Sequence, residues 1–168
     1  MANSQILQIG NLRKIKEGLK DLLGEEGCEK IETGIKNECQ GLYSLALNHY
    51  RFANGLSRHQ WRQKVSRYYY AAYMGSRTIR LYVHGDYSID VKDHSKIGQI
   101  PSKFPKQSEF SNKLDLLRED RNTCDYDHNA RASELNLTTS EAYDLVTEFL
   151  VQAQGFLQER GLILRGKI

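Results

Sequence analysis

The sequence feature that most constrains the fold is a repeat of apolar residues at alternating gaps of four and three between Trp61 and Tyr82. Residues at this spacing share one face of an α-helix. Several tyrosines between them widen the apolar surface beyond a single face, which indicates a helix at the centre of a bundle. Small side chains in the same stretch would let a neighbouring helix approach closely. They are Ala71, Ala72, Gly75 and Ser76.

Residues that cap helix N-termini predict where the helices begin. A capping box pairs a Ser or Thr side chain with Glu or Gln three residues later, and a lone Ser also serves as a cap. Together with the apolar spacing, these signals predict an all-α fold without a β-sheet. The caps are Ser57 with Gln60, Ser108, and Thr138 with Glu141, and the predicted helices are 58–84, 108–124 and 139–160, packed with a helix that ends near Leu56.

Composition favours long helices over β structure rich in turns. The chain of 168 residues is 39% hydrophobic and 27% charged, and it contains only two prolines. These values are typical of one soluble globular domain with long helices. No apolar run reaches the length of a membrane span and the N-terminus lacks a secretion signal, so we expect a cytoplasmic protein. We expect one or more accessory helices in residues 1–36, the bundle in 37–161 and a tail in 162–168.

The cysteines and histidines indicate neither a metal nor a cofactor. Three cysteines without a CxxC pair do not predict a disulfide framework or a zinc site. His49 falls on an apolar helix face and is expected to be a hydrogen-bonded core residue. His84 and His94 are expected to be solvated loop histidines. Asp93 is a candidate N-cap for a short helix that Pro101 would stop.

Fixed charge is distributed unevenly along the chain. Residues 39–85 hold seven Lys or Arg and no acidic residue, whereas residues 109–148 hold ten acidic residues and four basic ones. The two halves could bind one another within the fold, or the positive half could hold nucleic acid. For the second alternative, the candidate RNA-binding residues are Arg58, Arg62, Lys64 and Arg67.

A second apolar stripe carries a charge that core packing does not explain. It runs from Phe110 to Leu117 and reaches Arg121, Cys124 and His128 if the helix continues that far. A guanidinium keeps its charge at physiological pH and is seldom buried without an anionic partner. That partner is either a nearby aspartate or a free carbonyl at the helix end, or it is a phosphate that the histidine also meets as a proton carrier. The nearby aspartates are Asp120, Asp125 and Asp127.

The order of these parts resembles the HEPN (higher eukaryotes and prokaryotes nucleotide-binding) superfamily, especially its small stand-alone prokaryotic members. The resemblance covers roughly residues 41–161 and lies in the segments RYYYAAYMGSRTIRLYV, DHS, LREDRN and CDYDH. It implies a HEPN-like, up-and-down bundle of four to five helices that is usually a homodimer. Catalytic members of the family carry an arginine, a polar residue and a histidine as a metal-independent ribonuclease motif, which Arg121, Asn122 and His128 match.

Tyr126 departs from the toxin branch of this family. In that branch, whose antitoxin partner is a minimal nucleotidyltransferase, a tyrosine two residues after the histidine receives a nucleotide. Here Tyr126 precedes His128 by two residues. The resemblance therefore implies a nucleotidyltransferase-type partner less directly than it implies the ribonuclease motif.

Cleavage of RNA needs no metal in principle, because the 2′-hydroxyl supplies the nucleophile. It needs a proton carrier and a cation beside the phosphate, and His128 and Arg121 are residues of those types. Asn122 would orient the phosphate or the imidazole, and Asp125 or Asp127 would fix the histidine tautomer. One histidine cannot easily act as both base and acid, so we expect two copies to meet across a dimer axis.

The sequence thus predicts a metal-independent endoribonuclease of toxin or defence type that acts as a homodimer. One alternative is a non-catalytic HEPN module that binds a nucleotide, RNA or a protein partner, with Arg121 as an anion anchor or a structural residue. A purely structural helical adaptor is the other alternative.

Overall fold

The computed structural model describes residues 11–88 and 90–168, and every regular element within them is helical. This confirms the predicted all-α fold class. None of the described helices is both long enough and apolar enough to cross a membrane. The α-helices are α1 (Leu12–Gly18), α2 (Lys20–Gly55), α3 (Trp61–His84), α4 (Gln107–Tyr126) and α5 (Thr139–Gln158), and short 3₁₀ helices cover Val91–Lys96 and Ala132–Glu134.

Helix α3 lies at the centre of the bundle, as its apolar spacing predicts. It packs against α2, α4 and α5. Its Val65, Tyr69 and Ile79 side chains are completely inaccessible to solvent. A helix that is apolar on several sides is stable only when several neighbours cover it.

Helices α3 and α5 approach each other closely at Gly75. A Cβ atom at this position would lie 2.8 Å from Leu150 Cδ2 and 3.2 Å from Phe149 Cε1. The prediction that a small residue admits a neighbouring helix is therefore confirmed at Gly75.

The two ends of α3 differ in how well local sequence predicts them. The helix ends at His84 as predicted, and Gly85 caps it in the left-handed conformation with φ 67°. It begins at Trp61, three residues after the predicted start, because residues 57–60 form a turn. In this turn the Gln60 side chain accepts a hydrogen bond from the Ser57 amide at 3.1 Å, so only that half of the predicted capping box forms.

Of the caps predicted for the N-termini of α4 and α5, the one on α5 is present and the one on α4 is not. The Thr138 hydroxyl accepts from the Glu141 amide at 3.2 Å, and the Glu141 carboxylate accepts from the Thr138 amide at 2.8 Å, so this capping box is confirmed. The predicted cap at Ser108 is wrong. Helix α4 begins one residue earlier, at Gln107, and its N-cap is Lys106 in the left-handed region with φ 49°.

Helix α2 continues without a break across the predicted boundary between the accessory segment 1–36 and the bundle 37–161. Its kink lies further towards the N-terminus, at Gly24, which has a non-helical conformation with φ 62°. In the segment before α2, Leu12 is buried and Arg13 donates to the Tyr82 carbonyl at 2.7 Å. This segment therefore packs on α3 from residue 12 onward, and the predicted accessory segment before residue 11 lies outside the described residues.

The C-terminal segment 162–168, expected as a tail, follows α5 along the surface of α2. Leu162 and Leu164 are buried. The Arg165 amide donates to Gln40 Oε1 at 2.7 Å. These contacts tie the segment to the bundle.

The loop after α3 is anchored by Asp93, although not as an N-cap. Asp90 caps the 3₁₀ helix Val91–Lys96 by accepting from the Lys92 amide at 3.0 Å, so the predicted cap is wrong. Asp93 is instead buried and accepts hydrogen bonds from the Arg80 guanidinium at 3.0 and 2.9 Å. Because a buried carboxylate needs a charged, hydrogen-bonded partner, this ion pair fixes the loop to α3.

Candidate functional site around Arg121

Arg121 lies near the C-terminal end of α4, and 15% of its side chain is exposed. Its Nη2 atom donates to the Tyr70 hydroxyl at 2.7 Å, and its Nη1 atom donates to Asn122 Oδ1 at 3.1 Å. Its Nε atom lies 2.8 Å from Asp125 Oδ2 but is not aligned for a hydrogen bond. Of the three aspartates near it in sequence, Asp125 is thus the one that pairs with this charge.

The other two aspartates hold loops. Asp120 is buried and accepts from the Asn136 and Leu137 amides at 2.7 and 2.9 Å. Asp127 Oδ1 accepts from the Asn129 amide at 2.9 Å, within its own turn. Both carboxylates stabilise the segment between α4 and α5, which carries His128.

Three tyrosine rings surround the Arg121 guanidinium. The Arg121 Cζ atom lies 5.6 Å from the Tyr69 ring centroid and 5.4 Å from those of Tyr70 and Tyr126. Aromatic faces attract a cation, so these rings hold the charge in place. Tyr126 is 75% exposed, which leaves this side of the guanidinium close to solvent.

His128 does not share the helical stripe with Arg121. Helix α4 ends at Tyr126, so the spacing that would align the two side chains stops before His128. His128 is exposed in the following loop, and its carbonyl accepts from Arg62 at 3.3 Å. Within the described part of the chain, its imidazole makes no hydrogen bond to Arg121 or to a neighbouring aspartate.

An open groove of about 640 Å³ lies beside Arg121, and we call it the basic groove. Two of the residues that contact Arg121, Tyr70 and Asp125, form part of its wall. Asp125 is the acidic residue of the described lining, whereas several lining side chains are cationic or imidazole groups. The lining also includes His49, Arg62, Arg67 and Cys124.

Arg62 is a candidate for RNA binding by sequence, but its guanidinium is used inside the fold. Its Nη1 and Nη2 atoms donate to four backbone carbonyls at 2.6 to 3.3 Å. These carbonyls belong to Cys124, Asp127, His128 and Ala130. Arg62 thus binds the loop that contains His128 and holds it against the first turn of α3.

The other basic candidates are less constrained. Arg67 lines the basic groove, lies 3.3 Å from His49 Nδ1 through its Nη1 atom, and covers the Phe52 ring. Lys64 donates to the Leu56 carbonyl at 3.2 Å, and Arg58 is exposed in the turn before α3. Only Arg67 among these three adjoins the groove.

The basic and acidic halves of the sequence do not neutralise each other. The ion pairs of Arg77 and Arg80 go to Asp86 and Asp93 in the loop after α3. Among the described residues, no ion pair joins segment 39–85 to segment 109–148. Of the two arginines that line the groove, Arg62 is used by the loop carbonyls, and Arg67 has no acidic partner among the described residues.

His94 is a site residue that sequence reasoning missed, because the expectation of a solvated loop histidine is wrong. Its ring stacks on Tyr73 with centroids 4.3 Å apart, and its Nδ1 atom lies 2.6 Å from the Tyr69 hydroxyl. Asp93, the residue before it, is buried in an ion pair with Arg80, and this pair brings His94 close to α3. No local pattern signals this packing, whereas His84 is exposed as predicted.

Burial lowers the pKa of both His49 and His94. For His49 the charge of Arg67 adds to the effect of burial. For His94 the charge of Arg121 adds to it, and the Asp93 carboxylate partly opposes it. Both imidazoles are therefore neutral at pH 7. His49 is hydrogen-bonded as predicted, but it is half-buried at the groove wall rather than in the core.

Comparison with known proteins adds no assignment, because no family model, curated protein or solved structure matches the chain. The HEPN resemblance therefore stays a prediction. Within residues 11–88 and 90–168, no three His, Cys, Asp or Glu side chains form a group that could hold a metal ion.

Proposed function

We propose that the protein is a metal-independent endoribonuclease of HEPN type whose site is Arg121 and the basic groove beside it. The observation that carries this proposal is the placement of Arg121, a guanidinium held by tyrosines next to an open groove whose lining includes Arg67 and His49. Phosphate groups bind such cations, and nucleic acid bases stack on aromatic and guanidinium planes. The combination fits single-stranded RNA.

In this proposal Arg121 stabilises the charge that gathers on the scissile phosphate. Asn122, which accepts a hydrogen bond from Arg121 Nη1, orients the guanidinium. Tyr70 supports it from the groove side. His128 moves protons to or from the reacting oxygens, for which its exposed position leaves the imidazole accessible. Arg67 binds the RNA backbone within the groove.

The proposal includes a homodimer, which would bring a second His128 to each site. Exposed Tyr126, next to Arg121, offers an aromatic surface for a second chain to cover. Light scattering at tens of micromolar should give twice the monomer mass, and Tyr126→Asp should shift the protein towards the monomer. A monomer for the unaltered chain under these conditions would contradict the shared site.

The test of function is cleavage of RNA by the purified protein in excess chelator. Attack by the 2′-hydroxyl should leave a 2′,3′-cyclic phosphate, and DNA should stay intact because it lacks that nucleophile. Arg121→Ala and His128→Ala should each lower the rate by roughly a hundredfold to ten-thousandfold. Arg121→Lys should not restore it, because an ammonium cannot make a bidentate phosphate contact. Lys30→Ala, at an exposed lysine on α2, is the control for loss of charge.

A non-catalytic RNA-binding module is the second candidate, and the separation of His128 from the contacts of Arg121 is the observation that favours it. This alternative predicts no cleavage by any form of the protein. It also predicts that RNA affinity falls in Arg121→Ala and is unchanged in His128→Ala. Fluorescence anisotropy with a labelled RNA measures both affinities.

A further inference from the structure

His94 occupies a defined place beside Arg121. Its ring lies against Tyr73 at 4.3 Å and nearly parallel to it, and its Nδ1 atom is 2.6 Å from the Tyr69 hydroxyl. The loop that carries it is held to α3 by the buried pair of Asp93 and Arg80. The imidazole is thus fixed on one edge and half-exposed.

His94 and Arg121 rest on the same tyrosines. The Arg121 Cζ atom lies 5.6 Å from the Tyr69 ring, and the Tyr69 hydroxyl bonds His94. Tyr70 accepts from Arg121 Nη2 at 2.7 Å, and its ring lies edge-on to His94 with centroids 6.2 Å apart. We call Tyr69, Tyr70 and Tyr73 the tyrosine shelf. It places an imidazole and a guanidinium from different parts of the chain side by side.

Arg118 adds a second cation to this place. It lies three residues before Arg121 on α4, so the two share a helix face. Its Nε atom is buried and has no hydrogen-bond partner, and the described residues contain no ion pair of Arg118. Burial raises the pKa of the Tyr69 hydroxyl, and the charges of Arg121 and Arg118 act against that rise. An anion bound at Arg121 would therefore lie on the helix face that Arg118 shares.

We propose that His94 is a second catalytic residue of the cleavage site, with Arg118 and Arg121 holding the scissile phosphate in front of it. This inference rests on the proposed ribonuclease function. It assigns the proton acceptor to His94 and leaves proton donation to His128, so that each step has its own histidine.

The proposed reaction requires the tautomer of His94 in which Nδ1 carries the proton and donates it to the Tyr69 oxygen, so that the lone pair of Nε2 is free. The Nδ1 atom and the Tyr69 hydroxyl oxygen lie 2.6 Å apart, a distance that fits this hydrogen bond. Nε2 takes the proton of the 2′-hydroxyl as the bond from that oxygen to phosphorus forms. The bond from phosphorus to the 5′-oxygen breaks, and the departing oxygen takes a proton from the His128 imidazolium. The products are a 2′,3′-cyclic phosphate and a 5′-hydroxyl, and exchange with water restores both histidines.

A proton acceptor must be neutral before the reaction, and the surroundings of His94 favour that state. Burial lowers its pKa first, the charges of Arg121 and Arg77 lower it further, and the Asp93 carboxylate opposes them. Activity that depends on neutral His94 should therefore rise with pH through a pKa below the usual value of about 6.5. The groups that face the ring from α3, α4 and its own loop are Tyr69, Tyr70, Tyr73, Arg77, Arg121 and Asp93.

The first test is His94→Asn, in which the amide takes the place of Nδ1 and can still bond Tyr69, but no atom replaces Nε2. The rate of RNA cleavage should fall by roughly a hundredfold to ten-thousandfold, and the acidic limb of the pH profile should disappear. Thermal melting should show a folded protein. His84→Asn, which changes an exposed histidine at the end of α3, should leave both the rate and the profile unchanged.

The second test separates the two histidines by using RNA with sulfur in place of the bridging 5′-oxygen. A thiolate leaves without protonation, so this substrate should restore most of the rate of His128→Ala. It should not restore His94→Asn, which still lacks a proton acceptor. Tyr69→Phe removes the hydroxyl that contacts His94 Nδ1 but retains the aromatic ring. Because Tyr69 acts as a positioning residue, this variant should lower the cleavage rate and shift the acidic limb of the pH profile.

The results of these tests separate the role of His94 from the proposed ribonuclease function. If the unaltered protein cleaves no RNA, the ribonuclease proposal fails and the role of His94 fails with it. If it cleaves RNA and His94→Asn is equally active, or if the sulfur substrate rescues His94→Asn, only the role of His94 is overturned. Titration with inorganic phosphate, followed by NMR of the arginine Nε–H and imidazole signals, should perturb Arg118, Arg121 and His94 together. Unchanged Arg118 signals would remove it from the phosphate site.

Discussion

Asp93 and Arg80 form a bidentate ion pair inside the bundle. Arg80 Nη1 donates to Asp93 Oδ1 at 3.0 Å and Nη2 donates to Oδ2 at 2.9 Å, and the two residues are 1% and 3% exposed. The Tyr73 hydroxyl adds a third hydrogen bond, to Asp93 Oδ2, at 2.9 Å. The carboxylate is thus fully partnered, and the loop that carries it lies on the surface of α3.

Replacement of Asp93 by Asn should destabilise the fold strongly. The substitution removes the buried counter-ion of Arg80 and leaves it only Asp86, whose side chain is 36% exposed, and breaking a buried pair costs about 3–5 kcal/mol. Urea unfolding measures the loss, and Asp144→Asn, at an exposed carboxylate on α5, should change stability by less than about 0.5 kcal/mol. A similar small loss for Asp93→Asn would show that water enters the pair.

Acid should remove the contribution of the same pair. Burial by itself raises the pKa of Asp93, but hydrogen bonds from Arg80 and the charge of Arg80 outweigh burial and lower it. A carboxyl whose pKa is lowered in the folded state contributes stability above its unfolded pKa of about 3.9. That contribution is lost as pH falls through the folded value. Urea midpoints of the unaltered protein and Asp93→Asn should therefore stay apart from pH 7 to about pH 4 and approach each other only as the pH falls further.

The matched comparison for this pH effect is Glu32. Burial raises its pKa, but the hydrogen bond from Lys16 and the charges of Arg13 and Lys16 outweigh it, so its pKa is also lowered. Its side chain is 27% exposed, so its pairs are screened by solvent and contribute less. The difference in urea midpoint between the unaltered protein and Glu32→Gln should also shrink at low pH, but it should be smaller than the difference for Asp93→Asn. Equal effects at the two positions would contradict the role of burial.

Much of the fold follows from local signals in the sequence. The Thr138 and Glu141 box and the left-handed Gly85 depend on neighbours within a few residues, so the sequence reveals them directly. Helix α3 is predicted correctly over most of its length because its apolar spacing is long and unbroken. The false cap at Ser108 shows the limit, because Lys106 takes a left-handed conformation that its sequence does not favour.

The site is harder to predict because its contacts join distant residues. His94 lies at the shelf only because Asp93 pairs with Arg80, thirteen residues away. Arg62 resembles a free RNA-binding cation in the sequence, yet it clasps the carbonyls of a loop more than sixty residues further on. His128 leaves the stripe because α4 ends two residues before it. Tertiary contacts decide the positions of His94 and Arg62.

Gly75 and Gly41 offer a paired test of helix packing. A side chain at Gly75 would meet Leu150 Cδ2 at 2.8 Å, so Gly75→Val should overpack the α3–α5 contact and cost about 1–3 kcal/mol. Gly41 is exposed on α2, and a Cβ there would meet no atom within 4 Å, so Gly41→Ala should stabilise by roughly 0.5–1 kcal/mol through helix propensity. Thermal melting of both variants should move the transition temperature in opposite directions.

The rate of thiol labelling reports how firmly Arg62 holds the loop between α4 and α5. Burial raises the pKa of Cys39 and of Cys124 to about 12. At pH 8 their thiolate fraction is then on the order of one in ten thousand, and both side chains are buried, although Cys124 borders the basic groove. Cys28 is partly exposed on α2. A thiol reagent should therefore label one cysteine per chain quickly, which mass spectrometry should identify as Cys28.

Arg62→Ala should change this pattern at a single cysteine. Loss of the guanidinium frees the Cys124 and Ala130 carbonyls, which Arg62 holds at 3.0 and 2.6 Å, and the loop between them should open more often. Labelling of Cys124 should then accelerate, whereas Cys39, which lies between α2 and α3 and bonds the Thr78 carbonyl, should keep its slow rate. Equal acceleration of both thiols would indicate global destabilisation, and an unchanged rate at Cys124 would show that the loop is held without Arg62.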